Sequence, residues 1–265
     1  SGKNQITAKK ENISMIKNMI YREGPISRAE IAEKLQLTPP TITNITGELI
    51  EAGILRELHG SLTERKVGRQ PVLLDYTDDA GYVLGISMGR DVTHVCLTDV
   101  RGNALCSEVY DRMPDHYEDM KEELFRIINE IKEEYPGQWK KMIGIGIGIP
   151  GIVNAHKGTV LQIDAVRSDW KGKPLADTVS AEFSLPVRVE NNVRARTNMM
   201  SLFRPAEIEG YDTFAYCIAS WGIACPIILK NKSVRGEEGT AGEIGHMIMN
   251  PNEENGTLEE YSSLR

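Results

Sequence analysis

The residues best placed to do chemistry are Glu190-Asn191-Asn192, which follow a short β-branched run, Val187 to Val189, opened by Pro186. That run reads as a buried parallel strand, and Val193 to Leu202 has helical spacing. In an open α/β sheet, ligands sit just outside the carboxyl ends of the strands, so both amides stand where a small molecule would be met. Each can donate and accept hydrogen bonds, but neither takes a proton near neutral pH. A carboxylate at either position could act as a general base; an amide cannot. The alternative is an Asn pair that caps the next helix, and the residues alone leave both readings open. A second constellation lies in Gly236 to His246, where four glycines among eleven residues indicate a tightly folded backbone. Glu243 and His246, three apart, can face one way on a helical turn. A lone Glu-x-x-His is a weak metal signature, and a Gly-rich loop with an incidental ion pair explains it equally.

The elements that must hold these groups are α/β in pattern. Thr77 to Gly81 is a linker; Tyr82–Met88, Thr93–Val100 and Ala104–Tyr110 read as strands, with Arg101-Gly102-Asn103 as a turn. Met120, Leu124, Ile127, Ile128, Ile131 and Tyr135 mark the buried face of a helix, ended by Pro136-Gly137. Met142 to Ile149 is an apolar strand with glycine at alternate positions, which leaves one face open to close approach. Leu175–Phe183 is helical, and strands resume at Thr213–Ser220 and Ile223–Leu229.

Residues 1–76 carry a different pattern. Ile13, Ile16, Met19 and Ile20 recur at helical spacing before Gly24-Pro25. Ser27 caps a second helix, Arg28 to Leu35, with Glu30 completing a capping box; Ile31 and Leu35 are its buried residues. A turn at Gln36-Leu37 leads to Thr38, cap of a third helix whose first turn holds Pro39 and Pro40. Ile42, Ile45, Leu49 and Ile50 form its buried stripe, Thr41, Thr43, Asn44 and Thr46 face outward, and Gly53 stops it. Two short helices joined by a tight turn describe a helix-turn-helix, and small polar side chains let the third helix approach phosphates and base edges. Ile54–Leu58 and Pro71–Tyr76 read as a hairpin whose tip carries Arg65, Lys66 and Arg69, a basic wing. Arg28, Thr38, Thr41, Thr43, Asn44 and Arg69 are the DNA-contact candidates; the alternative is a small helical interaction domain.

Charge agrees with two roles. The 265 residues carry a net −7, but residues 1–76 hold 11 basic and 9 acidic side chains, a net +2, against −9 for the rest. A slightly basic head on an acidic body fits a protein whose head alone meets a polyanion. No apolar run is long enough to span a bilayer. Cys96, Cys106, Cys217 and Cys225 form no Cys-x-x-Cys pair and lie in apolar, strand-like segments, so they are expected to be reduced core residues of a cytoplasmic protein, without a metal.

Taken together, the chain resembles the ROK family (repressor, open reading frame, kinase), as a transcriptional repressor of that family. The resemblance rests on Gly24-Pro-Ile-Ser-Arg-Ala-Glu-Ile-Ala32 and Gly68-Arg-Gln-Pro71 in the head. In the body it rests on Gly144-Ile-Gly-Ile-Gly-Ile-Pro-Gly151, Val189-Glu-Asn-Asn192, Gly239-Thr-Ala-Gly-Glu-Ile-Gly-His246 and Leu258-Glu-Glu-Tyr-Ser262. It implies a winged helix-turn-helix DNA-binding domain at 1–76. It implies an actin/hexokinase-like (ribonuclease H-like) α/β sugar-binding domain at 77–265. By resemblance Asn191, Asn192, Glu243, His246 and Glu259 line the pocket, the effector is a sugar or sugar phosphate, and a homodimer or homotetramer binds a double-stranded DNA operator. The departures imply no catalytic residue, cofactor or metal. ROK kinases carry Asp as general base where Asn192 stands. Ser87 replaces an Asp of the first phosphate loop, and Trp221 and Pro226 replace small residues of the second. The family's zinc-binding cysteines are absent between His246 and Leu258. Family members also continue well past the Leu-Glu-x-Tyr-Ser segment, so the second lobe is expected to be incomplete at Arg265. Two alternatives remain: a constitutive dimeric repressor with a vestigial pocket, and a sugar kinase bearing a DNA-binding head.

Overall fold

The computed structural model describes residues 2–58, 71–163, 165–203, 206–220, 222–237, 239–252 and 256–262. The chain divides into two compact units, Ser1–Tyr82 with Thr98–Asn103, and Val83–Leu97 with Ala104–Arg265.

The first unit is built on three helices, α1 (Gly2–Glu23), α2 (Arg28–Leu35) and α3 (Pro39–Glu51). A small sheet of β1 (Ile26–Ser27), β2 (Leu55–Leu58) and β3 (Leu73–Tyr76) completes it, in the antiparallel order β1-β3-β2. Ile16, Ile20, Ile31, Ile42, Ile45, Leu49, Leu55 and Leu74 are its buried core. Burying each such side chain contributes roughly 1.5–3 kcal/mol. Ser27 caps α2 in a full capping box with Glu30. Gln36 then takes a left-handed conformation (φ 53°), which turns the chain sharply into α3. Gly53 (φ 70°) closes α3, and the Ile54 N–H returns to the Leu49 carbonyl at 2.9 Å.

Some expectations fail here. Thr46 does not face outward: it is fully buried, its hydroxyl donating to the Ile42 carbonyl at 2.8 Å, as a hydroxyl satisfied within its own helix can be. Leu35 is half-buried rather than buried. β1 was not anticipated; two residues give no periodicity. Within the same unit, Arg101 pairs with Asp75, donates to the Tyr21 carbonyl at 2.9 Å, and lies 5.8 and 5.4 Å from the Tyr21 and Tyr76 ring centroids. Burial pushes the Tyr76 hydroxyl up to about 12.

The second unit is organised on a five-stranded sheet. Its strands are β4 (Tyr82–Met88), β5 (Val92–Asp99), β6 (Ala104–Asp111), β7 (Met142–Ile149) and β10 (Val187–Asn191), in the order β10-β7-β4-β5-β6. β7 and β10 run parallel, with Val187 opposite Ile145 and Asn191 opposite Ile149. The helix α4 (Tyr117–Glu134) buries Met120, Leu124, Ile127, Ile128 and Ile131 as its spacing predicts, while Tyr135 is half-buried. Pro136 does not end helical structure; it opens a further turn, α5 (Pro136–Trp139), because proline suits a first turn. The hairpin of β8 (Ile152–Asn154) and β9 (Thr159–Gln162) follows β7. α6 (Leu175–Phe183) leads into β10, and α7 (Asn192–Phe203) leaves it.

Beyond α7 the two predicted strands are broken into β11 (Phe214–Ala215), β12 (Ile218–Ala219), β13 (Ile223–Ala224) and β14 (Ile227–Leu229), with β15 (Lys232–Ser233) after them. Pro226 has no N–H to give the ladder, and the Cys225 N–H goes to the Gly242 carbonyl instead, at 2.6 Å. The helix α8 (Leu258–Ser262) is the last described element. The cysteines are all free, but they are not core residues: three are half-buried and Cys217 is exposed. Cys96 lies on the face of β5 opposite the buried Thr93, Val95 and Leu97, and Cys106 lies on the edge strand β6, while Cys217 and Cys225 sit in short, broken strands.

Candidate functional site

Two constellations emerge, one in each unit. In the first, α3 presents Thr38, Thr43 and Asn44 as exposed residues, with Thr41 half-exposed. The Thr38 and Thr41 hydroxyls bond to each other at 2.9 Å, so Thr38 makes no side-chain cap to the helix backbone. Pro39 and Pro40 have no N–H, and the Ile42 N–H is taken by the Thr38 carbonyl at 3.1 Å. The two prolines thus remove two of the four N–H groups that a helix N-terminus ordinarily offers to a phosphate.

Arg28 is partly committed to the protein. Its Nε donates to Thr46 Oγ1 at 2.9 Å and an Nη donates to Glu57 at 2.7 Å. Arg65, Lys66 and Arg69 lie outside the described residues, as does Trp221. A cleft of about 350 Å³ in this unit is lined by Lys10, Ile13, Ser14, Lys17, Asn18, Tyr21 and Tyr76, and contains none of the predicted site residues.

In the second unit the sequence Glu190-Asn191-Asn192 lies at the carboxyl end of β10, beside the end of β7. Asn191 is nearly buried, and its Oδ1 accepts from the Val193 and Arg194 N–H groups at 3.0 Å each. Its Nδ2 donates to the Gly151 carbonyl at 3.0 Å. Asn191 is thus the cap of α7 and the tie between β10 and the turn after β7. Asn192 begins α7, half-exposed, with Nδ2 donating to the Met88 carbonyl at 3.4 Å. Its Cα and Cβ lie 3.4 Å from where a Cβ on Gly148 would sit, which is what the bare face of β7 makes room for.

Glu243, His246, Glu259 and Arg194 share one electrostatic neighbourhood. Burial raises the Glu243 carboxyl above its ordinary value; His246 and Arg194 oppose that, and Glu259 adds to it. His246 closes a single 3-10 turn, Ile244–His246, and its N–H reaches the Glu243 carbonyl at 3.3 Å. Glu259 on α8 accepts from the Ile223 N–H at 3.2 Å. Gly242 (φ 90°) packs so closely that a Cβ there would lie 2.6 Å from the Cys225 carbonyl oxygen. The half-buried carboxylates of Glu243 and Glu259 and the exposed imidazole of His246 suit vicinal hydroxyls, since each can engage two. Among the described residues no hydrogen bond joins Asn192 to this group.

Sequence reasoning missed what holds the Gly-rich loop. Arg194 is 1% exposed, and it donates to the Gly239 carbonyl at 2.9 Å and the Ala241 carbonyl at 2.8 Å. Glu190 stands 3.7 Å from Arg194 and 2.5 Å from Arg235. The detectable signal was a charged residue three positions after the capping Asn191, on the inward side of α7. Among the described residues no group of three or more His, Cys, Asp or Glu side chains is disposed to hold a metal. The stretch from His246 to Leu258 has no cysteine, so the residues present do not fit the zinc site that the family implies.

A three-helix head with a small sheet, and a five-stranded sheet whose parallel pair β7–β10 places Glu190, Asn191 and Asn192 at the carboxyl end of β10, define a helix-turn-helix protein with a sugar-kinase-like α/β domain. The chain belongs to the ROK family: the model of that family matches residues 83–258, and the model for winged helix-turn-helix DNA-binding matches residues 13–56. It is 31% identical to the xylose repressor of Caldicellulosiruptor bescii over 99% of this chain and 66% of that one. A solved ROK family transcriptional regulator, a homolog of the E. coli MLC protein, superimposes with a TM-score of 0.82 at 27% identity, covering 97% of this chain and 65% of that one. A ROK family glucokinase from Streptomyces griseus, solved with glucose and AMPPNP, matches 69% of this chain and 57% of its own at 28% identity and a TM-score of 0.58. The chain spans just under two thirds of the length of the repressor relatives.

Proposed function

We propose that this protein is a DNA-binding transcriptional repressor of carbohydrate metabolism, controlled by a sugar or sugar phosphate bound without reaction in its ROK domain. The reading is carried by a helix-turn-helix whose α3 exposes Thr43 and Asn44, joined to a ROK domain in which Asn192, at the carboxyl end of β10, stands by resemblance where the kinases carry their general base. An amide there can hold a hydroxyl but cannot take its proton. Phosphoryl transfer depends on positioning and charge stabilisation, and Ser87 and Pro226 depart from both phosphate loops. Thr38, Thr41, Thr43, Asn44, Arg28 and Arg69 meet the operator. Asn192, Glu243, His246 and Glu259 meet the sugar, with Asn191 fixing the floor. The working form is a cytoplasmic homodimer or homotetramer, because heads must reach major grooves about 34 Å apart. The name of the relative puts xylose first among effectors to try.

A thermal-shift panel tests the pocket. A ligand that binds the native state raises its stability by about 2.7 kcal/mol at a hundredfold excess over Kd. Xylose, other neutral sugars and their phosphates are each added to the chain and to its Glu243→Ala variant. One sugar should raise the melting temperature of the parent and not of the variant. A flat panel would leave the vestigial-pocket repressor as the better reading.

A further inference from the structure

The broken strands after α7 keep one antiparallel phase. Phe214 faces Ile228 and Ala215 faces Ile227; Ile218 faces Ala224 and Ala219 faces Ile223. Between and beyond them the Tyr216 N–H donates to the Pro226 carbonyl and the Ser220 N–H to the Gly222 carbonyl, each at 3.0 Å. Counting across this ladder places Cys217 directly opposite Cys225. Hydrogen-bonded and non-hydrogen-bonded pairs alternate along antiparallel strands. Tyr216–Pro226 is a hydrogen-bonded pair, so Cys217–Cys225 is a non-hydrogen-bonded one. The Cys225 N–H agrees, since it turns away to the Gly242 carbonyl. Partners of that kind have Cα atoms about 4.5 Å apart with side chains close together, inside the roughly 4.4–6.8 Å a disulfide spans. The Cys217 side chain is near enough to hydrogen-bond that of Cys225 and, after burial, helps push the Cys225 thiol up. Cys217 is exposed and Cys225 half-buried, an accessible thiol beside a sheltered one.

We propose that Cys217 and Cys225 form a dithiol that closes to an intramolecular disulfide on meeting a small oxidised disulfide, RSSR, such as oxidised glutathione. The Cys217 thiolate attacks one sulfur of RSSR, forming a mixed disulfide and displacing RS⁻. The Cys225 thiolate then attacks the Cys217 sulfur and displaces the second RS⁻. Two protein thiols lose their protons, one S–S bond forms, and RSSR accepts both electrons and both protons as two RSH. The bond lies one hydrogen bond from Gly242, next to Glu243, so oxidation stitches the strands that border the Gly-rich loop. The proposal needs no ligand in the pocket. Cys96 and Cys106, half-buried on neighbouring strands β5 and β6, provide the internal comparison; the Cys106 thiol is engaged by Tyr135.

The test incubates the whole chain with oxidised glutathione and then alkylates the remaining thiols. Before alkylation the intact mass should lie two hydrogens below that of the reduced chain, and Cys96 and Cys106 should then alkylate. Chymotryptic fragments from either side of Trp221 should stay joined until reduction. Cys225→Ser should stop at a glutathione adduct on Cys217, and Cys217→Ser should yield no disulfide. Four free thiols, a persistent adduct on Cys217 of the parent chain, a bond between Cys96 and Cys106 alone, or one between two chains would each overturn the proposal. The fragment map of the parent chain decides the matter even where a variant fails to fold.

Discussion

Replacing Arg194 with Met should loosen the Gly-rich loop more than any surface change. The guanidinium donates to two carbonyls of that loop, Gly239 and Ala241, from a site 1% exposed. Hydrogen bonds from a charged donor contribute about 1.5–3 kcal/mol each, and breaking a buried charged network costs about 3–5 kcal/mol. Against this, the Arg194 Nε is buried without a partner among the described residues, so its removal returns part of a desolvation penalty. Met also fills most of the same volume, and Arg235 still faces Glu190. The balance is a loss of about 3 kcal/mol local to the loop. Hydrogen exchange followed by mass spectrometry should show amides of 236–246 exchanging roughly a hundredfold faster. The α4 amides should be unchanged. Lys at this position keeps the charge but lacks the planar fork that spans both carbonyls, and should fall between. Unchanged exchange in 236–246 in a folded Arg194→Met protein refutes the idea that this side chain holds the loop.

Three further outcomes are expected. Ser27→Ala removes the capping box of α2 and should lower stability by about 1 kcal/mol in denaturant unfolding. Because the Ser27 N–H and hydroxyl hold the Glu30 carboxyl below its ordinary value, that contribution is complete above the usual carboxylate range and lost as pH falls through the lowered pKa. The variant should therefore show a flatter acid limb. Glu243 is the opposite case: its folded pKa is raised, so the native state holds the proton more tightly and stability falls as pH rises through that window. Glu243→Gln should raise the melting temperature at neutral pH and leave it unchanged in acid; a variant that is equally or less stable at neutral pH contradicts the sign. Asn44→Ala should weaken binding to a selected operator by about 1–3 kcal/mol while leaving non-specific binding at low salt unaltered.

The helix-turn-helix was legible because its signals are local: a capping serine, two prolines in a first turn, and isoleucines at helical spacing. β4, β7 and α6 were equally legible, since apolar periodicity reaches their ends. Thr46 was misread because a hydroxyl looks polar on paper, yet it can bond to its own helix and be buried. The strands after α7 run differently from their apolar pattern because Pro226 gives the ladder no N–H and the Cys225 N–H is diverted to a loop distant in sequence. Asn191 and Asn192 stood out as a pair, but that Asn191 caps α7 while Asn192 turns to the Met88 carbonyl follows from donor directions that spacing does not encode. Arg194 escaped notice for a similar reason. Its burial follows from carbonyls 45 and 47 residues further along the chain, so nothing adjacent announces it. The same holds for Cys217 and Cys225, eight apart in sequence and opposed only once the ladder is known.

The central claim joins a DNA-reading head to a sugar-holding, non-reacting body. Its most direct measurement is the affinity of the intact chain for a fluorescent duplex selected by the protein from a random pool, titrated with and without the sugar that raises its melting temperature. Binding should shift with sugar, as a ligand that prefers one arrangement requires, and added ATP should not be consumed. A duplex affinity indifferent to every sugar that binds, or nucleotide turnover in the same mixture, would contradict the account.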